Sequence, residues 1–474
     1  MQEAITRPVG TSSRTRLTAL IVACALFMQN LDGTVIATAL PAIARAFGSD
    51  PVSMNVALTS YLLSLSVFIP ASGWFADRYG SRNVFRAAIA IFTVGSILCG
   101  RADSLGFLVA ARILQGVGGA MMIPVGRLVL LRTAAKNELV AAMAWLTIPA
   151  LIGPVVGPPL GGIIATYTSW RWIFDINVPI GVAGIVLVTL FVDDVREPPP
   201  DKFDLTGLVL MGTALACLMF AIETAGGVVA WPATVAMLGA AALAVLLYAR
   251  HARRTVAPLL DFTLMRLRTF AVSVCAGSLF RIGIGAIPFL LPLMLQLGFG
   301  QSAAQSGAIT FASSAGALVM KPVATRVLRD FGFRRVLLWN GLVSAVLLGV
   351  CAFFRPSWPL IAIYSVLLIG GFFRSLQFTA YNTIAYAETD RARMSAATSL
   401  YSTLQQVSLT LGITAGAASL GVAMFFSRHT QPVTLDFGLA FIVVTLFCAS
   451  AAPISLLLPQ DAGSELTRGT PGRV

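Results

Sequence analysis

GWFADRYGSR (73–82) and VLRDFGFRR (327–335) are two versions of one segment, each following a long apolar stretch. Aligning Gly80 with Gly332 places Asp77-Arg78-Tyr79-Gly80-Ser81-Arg82 over Arg329-Asp330-Phe331-Gly332-Phe333-Arg334. Similarity at a fixed place in two halves of a chain is the mark of an internal repeat. It predicts two related helical bundles.

The surrounding composition says what kind of helices these are. The 474 residues are 57% hydrophobic and 11% charged, with a mean hydropathy of +0.84. A soluble domain is nearer 45–50% apolar and about 25% charged. The apolar residues fall into blocks of about 20, enough to cross a hydrocarbon core of about 30 Å as helices. We read fourteen spans: 17–38, 54–76, 84–100, 104–130, 138–166, 170–191, 206–224, 231–250, 270–295, 303–328, 335–354, 358–380, 394–424 and 434–458. The chain is expected to be an all-α polytopic membrane protein, with six spans in 1–192, two inserted spans in 193–268 and six in 269–474. Polar linkers, DDVREPPPDKFD (193–204) and RHARRT (250–255), flank the insert.

The formal charge of +13 invites a nucleic-acid reading. The placement of the basic residues argues otherwise. With the N-terminus inside, cytoplasmic segments hold 23 of the 33 Lys and Arg residues and external loops hold five. That bias is the positive-inside signal and puts both termini in the cytoplasm. The N-terminal region leads into a full-length span without a convincing cleavage site, so we read it as a first helix. The six cysteines (Cys24, Cys99, Cys217, Cys275, Cys351 and Cys448) fall in apolar spans with no metal-ligand spacing. No metal or cofactor is expected. There is no Walker A pattern, so ATP hydrolysis by this chain is not expected. Repeated halves of this kind point to a secondary transporter with its site near the bilayer midplane.

Within the first span, FMQNLDGTVIATALP (27–41) carries Asp32. An ionised carboxylate in hydrocarbon costs about 2.5–3.5 kcal/mol on insertion scales. Such a group is a candidate for loading and releasing protons. RILQGVGGAMMIP (112–124) puts Arg112 inside the fourth span. At 1.5 Å per residue, Arg112 lies about 12 Å and Asp32 about 10 Å below the same surface. The two are therefore expected to share a layer, with Arg112 as counter-ion or proton-release partner, or alternatively as a helix crosslink. GPVVGPPLGG (153–162) supplies Gly153, Pro154, Gly157, Pro158, Gly161 and Gly162 to the fifth span. Prolines free backbone carbonyls and glycines allow close helix approach, so this face reads as a leak-tight contact or simply a bent helix. At the cytoplasmic mouth, Asp77, Arg78, Gly80 and Arg82 read as a latch that breaks as the halves rock, against the plainer reading of a topology-fixing loop.

Together, LDGTVIATALPAI (31–43), GWFADRYGSR, RILQGVGGA, GPVVGPPLGG and WRWIFDINVPIG (170–181) resemble the signature set of the major facilitator superfamily. More narrowly they resemble the fourteen-helix drug:proton antiporters of the EmrB/QacA type, nearest to the bacterial MdtD/HsrA-like members. PFLLPLMLQLGFG (288–300) supports that subgroup. The resemblance implies a major facilitator fold, alternating access, proton-coupled export across a bacterial inner membrane, and roles for Asp32, Arg112, Asp77 and the span-five glycines. Two features depart from the pattern. Span thirteen offers Gln405 and Gln406 where some relatives carry acids, and Asp175 stands where relatives usually have an apolar residue.

Candidate cavity residues are Gln115, Glu223, Arg281, Arg374 and Gln405. Glu223 ends span seven, where a wet interfacial acid is the simpler reading. Lys321 and Arg127 are expected to snorkel to headgroups. Arg281 and Arg374 lack an obvious acidic partner in the second half. They would favour anionic substrates if they face a cavity, or else would crosslink helices. The partners expected are the bilayer, a small-molecule substrate and protons, with the protein working as a monomer. An organic-acid exporter is the second transport reading. A channel or membrane sensor is the reading from another class.

Overall fold

A segment in hydrocarbon finds no water for its backbone N–H and C=O groups, so it satisfies them internally as helix. In the computed structural model, which describes residues 13–133, 139–193, 203–225, 231–255, 258–390 and 393–463, that requirement produces fourteen long helices. The first six are α1 (Ser13–Thr38), α2 (Asn55–Tyr79), α3 (Ser81–Gly100), α4 (Leu105–Thr133), α5 (Leu139–Tyr167) and α6 (Trp172–Phe191). The inserted pair is α7 (Leu205–Ala225) and α8 (Trp231–Ala252). The last six are α9 (Arg268–Gly298), α10 (Ala303–Phe331), α11 (Phe333–Phe353), α12 (Leu360–Ile384), α13 (Met394–Ser427) and α14 (Thr434–Ser455). Thirteen of these are long and apolar enough among the described residues to cross a membrane. The other, α5, runs for 29 residues without a charged side chain. Outward-facing residues such as Leu246 (67% exposed) and Trp339 (66%) present the apolar surface that lipid covers.

The two repeat segments fold alike. Gly80 (φ 86°, ψ 135°) is the only residue between α2 and α3, and Gly332 (φ 76°, ψ 154°) is the only one between α10 and α11. This backbone region is essentially restricted to glycine. The expected turn is thus a single-residue joint, and Asp77 and Arg78 belong to the last turn of α2.

The two faces of the molecule can be told apart by their basic residues. Towards the basic-poor face, one apolar core includes both halves, joining Val35, Ile36 and Leu40 to Leu290, Met294 and Ile309. That core runs on through the second half to Phe333 and Leu337, and two further clusters are separate from it, one within α1–α6 and one around Tyr248, Phe270 and Tyr401. Polar bonds close the basic-poor side further. The 3-10 turn Ile36–Thr38 ends α1, and the Ala42 amide donates to Ala39 O. The Thr38 carbonyl is left for a partner outside its helix. A π-helical turn at Met294–Gly298 offers one, and Gln296 Nε2 donates to Thr38 O at 2.9 Å. Nearby, the Ala304 amide at the head of α10 donates to Thr166 Oγ1 at 2.9 Å.

The insert is tied down at the basic-rich end. Asp204 Oδ1 lies 2.6 Å from His251 Nε2 and accepts from the Gly207 amide, while its Oδ2 accepts from the Leu259 amide. Burial pushes the Asp204 carboxyl up, but these hydrogen bonds bring it below the usual carboxylate value. Its contribution to stability is therefore complete above that usual value and is lost as the pH falls through the depressed one. Arg393 Nη2 donates to Asp261 Oδ2 at 2.9 Å, joining the linker after α8 to the segment before α13.

Two measurements check this description. Gly80→Ala and Gly332→Ala should each lower stability by about 1–3 kcal/mol, read as a fall in the thermal unfolding midpoint; unchanged midpoints would contradict the joint geometry. Asp204→Asn should lower the protection factor of the Leu259 amide, measured by hydrogen exchange at fixed pH; unchanged protection would contradict its bond to Asp204.

Candidate functional site

The apolar helices α1, α2, α3, α4 and α6 converge on one polar cluster. Asp32 is 0% exposed. Its Oδ2 accepts from Arg112 Nη1 at 2.6 Å. Its Oδ1 accepts from Gln115 Nε2 at 2.8 Å and from Asn177 Nδ2 at 2.9 Å. Three donors on one carboxyl is an arrangement suited to an ionised acid. Burial alone, the cost read from the sequence, is thus opposed by a complete set of partners.

Arg112 is equally enclosed, at 0% exposure. Nε donates to the Ala57 carbonyl of α2 at 3.1 Å, and Nη1 donates also to Gln115 Oε1 at 2.6 Å. Its guanidinium carbon stands 4.2 Å from the centre of the Tyr61 ring, a cation–π contact. Gln115 Nε2 donates onward to Ser96 Oγ at 2.8 Å. Arg112 Nη2 and Asn177 Oδ1 are among the buried atoms here that have no hydrogen-bond partner. Removing one member of a buried pair costs about 3–5 kcal/mol, because the other charge is stranded.

Helix α5 packs on α1, the helix that carries Asp32, with one row of residues and on the other bundle with the adjacent row. A Cβ at Gly153 would stand 3.0 Å from the Leu31 amide nitrogen, and Cβ atoms at Gly157 and Gly161 would run into Thr34 Oγ1 and the Val35 carbonyl. That row, four residues apart, lies along the turns of α1 that hold Asp32. Gly162 faces the Ala303 carbonyl, and Gly307 of α10 faces the Pro158 carbonyl. Ser314 Oγ of α10 donates to the Pro154 carbonyl at 3.2 Å. The contact between bundles therefore belongs to Pro154, Pro158 and Gly162, while Gly153, Gly157 and Gly161 pack inside the first bundle.

The remaining candidates are dispersed. Gln115, expected in a cavity, belongs to the Asp32 cluster and is 0% exposed. Asp77 is half-buried, Arg78 is exposed, and Arg82 Nη1 donates to the Val192 carbonyl after α6 at 3.3 Å. Gln405 is half-buried on α13. The side chain of Glu223 lies outside the described residues. Arg281 and Arg374 bond to neutral side chains, Arg281 to Asn382 and Tyr401 and Arg374 to Ser313. Lys321 donates to Thr379 Oγ1 at 3.2 Å, so it does not simply snorkel. Asp175 lies 3.8 Å from Arg101 at the basic-poor end and is apart from the Asp32 cluster.

Asn177 was missed by sequence reasoning. The signal was available, since WRWIFDINVPIG places one neutral amide inside an apolar helix.

The model of the Major Facilitator Superfamily matches residues 22–413 and 273–472 of this chain. A protein of Klebsiella pneumoniae named "Putative multidrug resistance protein MdtD" is 36% identical over 449 residues, covering 94% of this chain and 95% of that protein. The protein of the same name from Escherichia coli K12 is 37% identical over 426 residues, covering 90% and 89%. Among solved structures, an auto-inhibited POT family peptide transporter has a TM-score of 0.65 at 16% identity, covering 94% of this chain and 96% of its own. A D-xylose-proton symporter has a TM-score of 0.63 at 14% identity, covering 93% and 99%. Those two share the fold. The family match spans most of the chain and agrees with the repeat and the fourteen helices, and the chain is a multi-pass membrane protein belonging to the major facilitator superfamily.

Proposed function

We propose that this protein exports small amphipathic, drug-like compounds from the bacterial cytoplasm in exchange for protons, working as a monomer by alternating access between bundles 1–192 and 269–474. The observation that carries the reading is the sealed Asp32–Arg112 pair with its two amide donors. Asp32 is the group on which the proton is loaded and released. Protonating it weakens its attraction for Arg112, so proton loading and rearrangement of α1 against α4 are one event. Arg112 Nη2 and Asn177 Oδ1, the atoms without hydrogen-bond partners, are where water would bring the proton in.

The basic-rich face is assigned to the cytoplasm, with both termini there. The bonds of Gln296 to Thr38 and of Ala304 to Thr166 then close the outer side, which leaves the state that receives substrate from within. The names borne by the Klebsiella and Escherichia relatives support drug-like substrates.

Energetically the cycle is sufficient. About 150 mV supplies roughly 3.5 kcal/mol per proton. At about 1.4 kcal/mol per decade, that sustains a gradient of roughly 300-fold for a neutral substrate. A monovalent cation would gain nothing from the voltage, whereas a monoanion would gain the work of two charges.

Proteoliposomes loaded with a pH-sensitive dye test the reading. Asp32→Asn should fold and reduce substrate-driven proton flux to background; wild-type flux in that variant would sink the proposal. Arg112→Ala should lose about 3–5 kcal/mol of stability together with coupling. Asn177→Ala should lose about 1.5–3 kcal/mol, as expected for one hydrogen bond to a charge, and should retain partial flux.

A further inference from the structure

Arg281 of α9 is buried as deeply as Arg112, at 1% exposure, but no carboxylate is paired with it among the described residues. Its Nη2 donates to Asn382 Oδ1 at 2.8 Å and to the Tyr401 hydroxyl at 2.5 Å, and its Nε is buried without a partner. The guanidinium carbon lies 5.1 Å from the Phe378 ring centre and 5.0 Å from that of Tyr401. Between 269 and 463 the acids are Asp330, Glu388, Asp390, Asp436 and Asp461, and all of them stand at helix ends or in connections. The interior of the second bundle therefore carries positive charge that the protein does not neutralise.

The same cation stands one layer behind a half-buried stripe of α12. Arg374, Phe378 and Asn382 recur every four residues on α12, which puts them on one stripe, and all three are half-buried. Arg281 reaches that stripe through Asn382. A guanidinium with a free Nε–H and a neighbouring terminal N–H offers the side-on fork that matches the two oxygens of a carboxylate. Its aromatic neighbours suit an apolar body next to that carboxylate.

We propose that Arg281 is the charge-recognition residue of the substrate site and that the compounds carried are amphipathic organic carboxylates, whose anion displaces the Asn382 amide oxygen and fills the fork. The inference rests on the reading of this chain as an exporter and names the substrate class for it. It also fits the voltage argument, since an exported monoanion gains most from inward proton movement.

Isothermal titration of the full-length protein in neutral detergent, without any proton gradient, decides the matter. The probes are 4-phenylbutyrate and its uncharged and cationic analogues, 4-phenylbutanol and 4-phenylbutylamine. The wild type should bind the carboxylate at least about tenfold more tightly than either analogue. Arg281→Gln, with unchanged gel-filtration behaviour, should erase that preference and leave the alcohol's affinity as it was. Asn382→Ala uncovers Nη2 and should tighten carboxylate binding, which serves should the arginine variant not fold. Equal affinity for all three probes, no binding of any, or a preference that survives Arg281→Gln would each overturn the proposal, as would weaker or unchanged carboxylate binding in Asn382→Ala. Asp32→Asn should keep the preference in detergent, so failure of proton coupling and failure of anion recognition give different results.

Discussion

A carboxylate and a guanidinium shut away from water hold one another in place, and the first bundle is arranged around that pair. Neither charge is tolerable alone in so apolar a setting. Asp32 comes from α1 and Arg112 from α4, while the donors and acceptors that complete them come from α2, α3, α4 and α6. Five helices are thus tied to one ionisation. Lipid supplies no hydrophobic force between helices, so polar bonds of this sort and close packing fix how they sit together.

Helix α5 joins the helix that carries Asp32 to the second half. Its Gly153–Gly157–Gly161 row bears on the turns of α1 that carry Asp32, and its Pro154, Pro158 and Gly162 bear on α10 across the interface. Both contacts include backbone packed directly on backbone, with no room for a methyl group at several points. Sliding of α10 along α5 is therefore delivered to the helix that touches the acid, with little side-chain slack to absorb it. Low compressibility of packed interiors is what makes such delivery effective.

Much of this was legible in the sequence because it depends on local rules. Hydropathy set fourteen spans within a few residues of the helices seen, and matching Gly80 with Gly332 anticipated two joints of the same rare conformation. Depth counted at 1.5 Å per residue put Asp32 and Arg112 in one layer, and the structure brings them to 2.6 Å. The rest depends on which helix faces which. Periodicity does not order fourteen helices, so the amide of Asn177 stood out in its apolar helix without its partner Asp32 being readable, and Gln115 read as readily as a cavity residue. For the same reason the partners of Arg281, drawn from α12 and α13, could not be read ahead of the packing.

The two halves share a fold and differ in their charge. In the first, the buried arginine is neutralised from within, so protonating Asp32 leaves Arg112 without its counter-ion. In the second, Arg281 is held by an amide, a phenol and two ring faces, all of them neutral. A neutral setting leaves a cation attractive to whatever negative charge enters the space beside α12. In the proposed exchange one bundle would change its own charge when a proton arrives, while the other would offer a constant charge to a visitor. An exchanger requires its two cargoes to act on different groups through one shared movement. In the exchange proposed here Arg112 and Arg281 would divide those tasks, with α5 and α10 as the contact between the halves.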